Sequence, residues 1–363
     1  MIIAKGYNEH LVINFINLER NSSKPRFIWV KKNKINQMHL LFLVITILAG
    51  GYIGWSIGAN DAANCVGANI GSGRMTLKQG IFITCLFSFL GALLLGQNVI
   101  CTIGKGIVPL NTLDPKIAMA IALVSCFCAG TWVLVATYFK MPVSTSHSIV
   151  GAVAGAGLAV GAPVVWRKLL DIFICWILTP VGAAIIAYLL YYPFRKLFYA
   201  LVPKRFNDHA ITSLTFATSI YLAFIWGAND VANVTGVLCG ANALTPTTAT
   251  IIGSIAILIG ILTWGYKVIE TIGFGITALL PLMTIVAEIA SGLNVHLYTI
   301  LGIPVSTSHS IVGAIFGVGL IRGIQAIQTK ILKDIVLVWS LTPFCAGLFS
   351  FILLRTLMML KII

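Results

Sequence analysis

Long apolar segments separated by short polar breaks run through most of the chain. We place ten of them near 40–59, 79–101, 117–139, 143–161 and 169–192, and near 213–231, 247–268, 272–290, 297–321 and 333–358. Most are close to the roughly 20 residues that a helix needs to cross the hydrocarbon core. Gly, Pro, Asn and Asp interrupt several, which is typical of broken or re-entrant segments. The pattern predicts an all-α polytopic membrane protein.

The two halves of the chain repeat each other. GANDAAN at 58–64 returns as GANDVAN at 227–233, an offset of 169, and PVSTSHSIVGA at 142–152 returns at 304–314, an offset of 162. WILTP at 176–180 corresponds to WSLTP at 339–343. Duplicated halves with one polar motif each are typical of secondary transporters, whose site forms between the repeats. Five segments in each half predict that the repeats are inverted in the membrane.

Composition and charge support a membrane protein. Hydrophobic residues make up 58% of the chain and charged residues 9%, against roughly 25% charged residues in soluble domains. The net charge of +14 is concentrated at the borders of the apolar segments, which indicates membrane topology and argues against nucleic-acid binding. We divide the chain into a basic tail (1–38), repeat 1 (39–192), a basic central loop (193–212) and repeat 2 (213–363).

The GAND motifs place a carboxylate at membrane depth in each half. Such a group costs about 2.5–3.5 kcal/mol unless it faces a partner or a wet cavity, so Asp61 and Asp230 are functional candidates. Their neighbours three to four positions apart can converge on one side of a helix. Carboxylate and amide oxygens are hard ligands that suit sodium. The candidate cation ligands are Asn60, Asp61, Asn64, Asn229, Asp230 and Asn233; the alternative is a polar contact that only holds helices together.

The PVSTSHS motifs predict an anion-binding pair of helix starts. Pro142 and Pro304 suit the first position of a helix, whose free N–H groups and dipole favour an anion. The candidate ligands for a tetrahedral oxyanion are Ser144, Thr145, Ser146, His147, Ser306, Thr307, Ser308 and His309. N-capping, with packing at 151–155 and 313–317, is the alternative interpretation. Either histidine could be structural, donate to the anion or relay a proton.

Glu270 is a further candidate in the second half. It follows Lys267 by three residues, so an ion pair along a helix explains it equally well. Together with Asp61 and Asp230 it would repel an anionic substrate unless cations or protons accompany that substrate. The charges therefore favour cation-coupled symport.

Two GAND motifs, each followed about eighty residues later by PVSTSHS, closely resemble the inorganic phosphate transporter (PiT) family, also called phosphate permeases. The resemblance covers about residues 40–358. It implies symport of inorganic phosphate with sodium or protons, a site shared by the two halves, no cofactor beyond the co-transported ion, a homodimer, and a multi-pass protein of the cell membrane.

The coupling ion stays open at this stage, because some relatives carry a carboxylate where this chain has Ser88 or Cys101. Transport of another tetrahedral oxyanion such as sulfate is the alternative, although intact GAND motifs favour phosphate. An anion channel is a less favoured alternative, because paired cation and anion motifs indicate a site that must be occupied and closed. An enzyme is not expected, because the pair of Ser144 and His147 recurs in the other half, and a duplicated hydrolase nucleophile has little chemical rationale.

The basic tail conflicts with the predicted topology. With ten complete spans, the positive-inside rule puts the central loop in the cytoplasm and the N-terminus outside. The Lys and Arg residues of the tail then lie on the wrong side. We therefore hypothesise that translation starts at Met38 or that residues 1–37 are dispensable.

Overall fold

The described part of the protein is all-helical, as predicted. A computed structural model describes residues 26–269, 271–275 and 279–362, without the side chains of 26–39 and of a few later positions. No strand occurs among these residues. The α-helices are α1 (Arg26–Gly71), α2 (Leu77–Leu95), α3 (Gln97–Cys101), α4 (Pro115–Tyr138), α5 (Thr145–Ala159), α6 (Trp166–Leu201), α7 (Asn207–Asp230), α8 (Ala232–Gly240), α9 (Pro246–Trp264), α10 (Pro281–Ile300), α11 (Thr307–Leu320) and α12 (Thr329–Met359).

Several described helices are long and apolar enough to cross a membrane. They number seven within the described residues and cover Leu40–Gly71, Leu77–Leu95, Pro115–Tyr138, Trp166–Leu201, Lys204–Gly240, Pro246–Trp264 and Thr329–Met359. The chain separates into two units, and every side chain discussed below lies in the second, Thr46–Ile363. Of the first unit, which ends at Ile45, the structure describes the beginning of α1. This helix continues without a break through Met38.

The helix starts in the PVSTSHS motifs differ from the prediction. Neither proline is the first helical residue: α5 begins at Thr145 and α11 at Thr307. The cause is capping, because the serine before each helix accepts a hydrogen bond from the backbone three residues later. With 15 and 14 residues, both helices are roughly 20 Å long, too short for a core of about 30 Å. They fit the expectation of broken segments.

Other predicted boundaries were wrong. The predicted segments 272–290 and 297–321 do not match the observed helices. Pro281 starts α10, and this helix ends at Ile300, before the extended stretch that precedes α11. The central loop predicted at 193–212 is mostly helical. Helix α6 continues through Pro193 to Leu201 and α7 begins at Asn207, since membrane helices tolerate proline where neighbouring groups compensate.

Each short helix packs against a long helix of the other half. Helix α5 lies along α12, and α11 lies along α6. A Cβ at Gly151 would meet the carbonyl of Pro343 at 2.2 Å, and one at Gly313 would meet that of Pro180 at the same distance. The small-residue packing expected at these motifs is therefore present, and it joins the two halves.

The GAND glycines make the second pair of close contacts between halves. A Cβ at Gly58 on α1 would lie 2.0 Å from the carbonyl of Ile257 on α9, and one at Gly227 on α7 would lie 2.0 Å from that of Ser88 on α2. These two contacts correspond to each other at the 169-residue offset. The close approach fixes the helical turns that carry Asp61 and Asp230.

We expect Gly155→Ala to destabilise the protein by about 1–3 kcal/mol, the usual cost of overpacking. The added methyl group would lie 2.0 Å from the carbonyl oxygen of Gly347, a backbone atom that cannot turn away. Gly51→Ala is the matched control, because nothing lies within 4 Å of its Cβ position. Unfolding midpoints of detergent-purified protein would measure the effect, and equal midpoints for both variants would contradict this packing.

Candidate functional site

Two carboxylates, one from each half, meet at a single hydroxyl group. Thr145, the first residue of α5, lies with its Oγ1 2.9 Å from Asp61 Oδ2 and 3.2 Å from Asp230 Oδ1. Both aspartates are buried, with 1% of their surface exposed. The structure thus brings together the two carboxylates that the sequence singled out.

Asn64 links Asp61 to the start of α11. Its Nδ2 donates to Asp61 Oδ1 at 3.2 Å, to Thr307 Oγ1 at 3.2 Å and to Ser308 Oγ at 2.9 Å. Ser308 Oγ also lies 3.2 Å from Asp61 Oδ1. Both oxygens of Asp61 therefore have partners, one from each short helix.

Asn233 has the matching place in the second half. Its Nδ2 donates to Asp230 Oδ1 at 3.0 Å and approaches Thr145 Oγ1 at 3.3 Å. Thr307, the counterpart of Thr145, also lies beside Asp230. Asp230 Oδ2 nevertheless has no hydrogen-bond partner within the described protein, so the two carboxylates are unequally satisfied.

The amide oxygens of this cluster are available as ligands. Asn64 Oδ1 and Asn233 Oδ1 are buried and have no hydrogen-bond partner among the described residues. Buried polar oxygens without a donor are costly. Together with the carboxylates they form a set of hard oxygen ligands of the kind that sodium binds.

Asn60 and Asn229 do not join this cluster. Asn60 donates to Thr137 Oγ1 at 2.9 Å and accepts from the Val143 N–H at 3.1 Å. Asn229 donates to Thr299 Oγ1 at 3.0 Å. They hold each GAND motif against the chain that leads into the short helices, which is a positioning contact.

The serines that open the motifs cap their helices. Ser144 Oγ accepts from the His147 N–H and Ser306 Oγ from the His309 N–H, both at 3.2 Å. Ser146 Oγ lies 3.3 Å from Ser144 Oγ. Capping uses the oxygen of each serine and leaves its O–H able to donate, so a cap does not exclude an anion contact.

The two histidines form a stack with two tryptophans. The His147 ring lies 3.6 Å from the Trp176 ring and His309 lies 3.7 Å from Trp339, while the two imidazoles are 4.4 Å apart. His147 Nδ1 contacts the carbonyl of Trp339 at 3.3 Å, and His309 Nδ1 that of Trp176 at 3.2 Å. Both histidines therefore connect the halves through these contacts.

Glu288 on α10 is a buried carboxylate that the sequence analysis missed. Thr218 donates to its Oε2 at 2.7 Å, and Ser219 lies 3.1 and 3.2 Å from its two oxygens. Asn69 Nδ2 donates to Ser219 Oγ at 2.9 Å. A lone acidic residue in an apolar segment was the available signal, but it has no copy in the repeat, where Cys126 stands at the 162-residue offset. The predicted Glu270 lies outside the described residues.

Comparisons with known proteins agree on one family. The sequence pattern of the phosphate transporter family matches residues 57–350. A protein of Pyrococcus furiosus named as a phosphate permease is 32% identical, covering 88% of this chain and 97% of its own. A Chlamydia pneumoniae protein named in the same way is 34% identical, covering 86% and 97%. The solved structure of a sodium-dependent phosphate transporter is 29% identical, with a TM-score of 0.78, over 88% of this chain and 99% of that one.

Alanine and glycine at position 306 separate the observed capping contact of Ser306 from the anion contact predicted for its hydroxyl. We expect Ser306→Ala to destabilise the protein by about 0.5–2 kcal/mol through loss of the cap, and Ser306→Gly by only a few tenths. Both variants remove the same hydroxyl donor. The unfolding midpoint should therefore fall more in Ser306→Ala than in Ser306→Gly, whereas phosphate affinity should fall equally in both variants. Full phosphate affinity in Ser306→Gly would exclude an anion contact by this hydroxyl.

Proposed function

The chain belongs to the phosphate transporter family, and on this premise we propose that it imports inorganic phosphate by symport with a cation, at a site formed by the GAND motifs and the two helix starts. The observation that most supports this proposal is that two carboxylates lie at one hydroxyl group. Two distances of 2.9 and 3.2 Å to Thr145 Oγ1 keep the facing oxygens of Asp61 and Asp230 within about 6 Å of each other.

Two charges at that separation repel each other by about 3 kcal/mol at an effective dielectric constant of 20. One O–H group carries one proton, so Thr145 cannot donate a full hydrogen bond to both carboxylates at once. A bound cation or a proton removes the repulsion, and a phosphate anion next to the cluster, which is negative like the carboxylates, needs the same positive charge. This shared requirement supports coupled movement of cation and anion.

Sodium is the ion that the ligand chemistry favours. The cluster contains carboxylate and amide oxygens without hydrogen-bond partners in the described protein, and such hard oxygens suit a metal cation better than a proton. The related solved transporter is sodium-dependent. We therefore expect one sodium ion to bind at each of Asp61 and Asp230.

The phosphate would bind at the starts of α5 and α11. Helix geometry leaves backbone N–H groups free in the first turn, and the helix dipole favours negative charge there. Hydroxyls of Ser144, Ser146 and Ser306 lie at the same helix ends, next to the cation ligands. Neutral donors around a divalent anion permit release, which transport requires.

Glu288 completes the proposal as a further cation site. Its carboxylate is fully buried and takes hydrogen bonds from neutral groups. Nearby Asn69 Oδ1 and Thr215 Oγ1 are buried without hydrogen-bond partners in the described protein, which adds hard oxygen ligands. The cell membrane and the homodimer implied by the family resemblance belong to the same proposal.

We expect Asp61→Asn and Asp230→Asn each to abolish concentrative phosphate uptake, because an amide cannot hold the cation that offsets the phosphate charge. Uptake of radiolabelled phosphate into reconstituted vesicles, with sodium and pH gradients imposed separately, measures this. Asp171→Asn is the matched control, since Asp171 is exposed on α6. Near-normal accumulation in both site variants would reject the proposed site, and uptake driven only by a pH gradient would reject sodium.

Glu288→Gln tests the second cation site. We expect the sodium concentration for half-maximal uptake to rise about 10- to 100-fold, because a neutral amide replaces a negatively charged ligand of the cation; this change corresponds to about 1.4–2.8 kcal/mol of binding free energy. The phosphate concentration for half-maximal uptake at saturating sodium should stay unchanged. Cys126→Ser, at the corresponding position of the first half, is the control. An unaltered sodium dependence in Glu288→Gln would show that this carboxylate holds no coupling ion.

A further inference from the structure

A small cavity lies beside Asp230, where α2, α7 and α9 meet. Ser88, Trp226, Asp230 and Ser254 contribute to its lining. The space open to the centre of a water molecule is about 10 Å³, close to the minimum for one water. All four side chains are at least 97% buried.

Three polar atoms on these side chains have no hydrogen-bond partner in the described protein. They are Trp226 Nε1, Asp230 Oδ2 and Ser254 Oγ. Buried polar groups are nearly always hydrogen-bonded, to protein or to ordered water. Three such atoms on the walls of one cavity point to a shared partner.

The chemistry of the three atoms identifies that partner. The indole N–H of Trp226 only donates, the carboxylate oxygen of Asp230 only accepts, and the hydroxyl of Ser254 does either. A metal ion would be repelled by the N–H group, and an anion by the carboxylate. A water molecule both accepts and donates, and it fits the volume.

We propose that this cavity binds one water molecule, which accepts from Trp226 and donates to Asp230, and that this water positions the Asp230 carboxylate for the coupling cation. The positioning role rests on the symport function proposed above. The hydroxyl of Ser254 is a third hydrogen-bond partner of the water, and Ser88 lines the cavity from α2.

The corresponding place in the first half cannot hold such a water. At the 169-residue offset, Ile57 replaces Trp226, Ile257 replaces Ser88 and Cys85 replaces Ser254. Ile57 and Ile257 are both buried, and both oxygens of Asp61 already have protein partners. The water therefore serves the carboxylate of one half alone.

The state of the Trp226 N–H group tests the water directly. The N–H stretching band of this indole, isolated as the infrared difference between the protein and its Trp226→Phe variant, should show a hydrogen-bonded group. It should move toward the free position in Ser254→Ala, because the water loses a ligand. A band at the free position in the unmodified protein would overturn the proposal. This readout does not depend on transport.

Uptake measurements test the positioning role. We expect Trp226→Phe and Ser254→Ala to raise the sodium concentration for half-maximal uptake about 5-fold, with little change in the maximal rate. Cys85→Ala, at the counterpart of Ser254, should leave sodium dependence unchanged. A hydrogen-bonded indole with normal sodium dependence in both variants would overturn the positioning role. If Asp230→Asn transports normally, symport at this site fails, while the infrared band still decides whether the water binds.

Discussion

The rest of this protein depends on two carboxyl groups that are held close together at membrane depth. Asp61 and Asp230 belong to different halves, and their facing oxygens both reach Thr145. Nothing in the local sequence of either helix would bring them together, because each would be more stable apart. The close glycine contacts between α1 and α9 and between α2 and α7 hold the carboxylates in place. In the proposed symport, repulsion between the two ionised groups would favour binding of a cation.

The halves share a backbone plan but differ in chemistry. Asp61 has two satisfied oxygens, whereas Asp230 has an unpartnered oxygen within the described protein and a small cavity beside it. Glu288 has no acidic counterpart, and at the place of its neighbour Asn69 the other half has Leu238, which packs against Gly50. A duplicated scaffold thus carries two sets of ligands, and occupancy of one half need not equal occupancy of the other.

The sequence predicted the all-helical class and the family, because repeated motifs and helical spacing report these directly. Of the residues expected to converge in each GAND motif, Asp61 lies with Asn64 and Asp230 with Asn233, whereas Asn60 and Asn229 contact other segments. The sequence did not predict the C-terminal end of α10, because apolar residues continue through the turn at Gly302 and the hydrophobic pattern shows no break there. Proline and a capping serine both predict a helix start in each PVSTSHS motif, and the observed helices begin after the serine. Glu288 was not predicted as a site residue, because the candidates came mainly from repeated motifs and Glu288 is not repeated.

The exchanged packing of the short helices has a consequence for biogenesis. Helix α5 packs along α12, and Gly151 lies against Pro343, a residue made much later in synthesis. At a translation rate of 5–20 residues per second, roughly 10–40 s pass between the two. During that interval the first helix start, with its hydroxyls and free N–H groups, lacks its permanent neighbour within the bilayer. The nascent first half must therefore be sheltered, by the insertion machinery or by temporary contacts, until α12 is made.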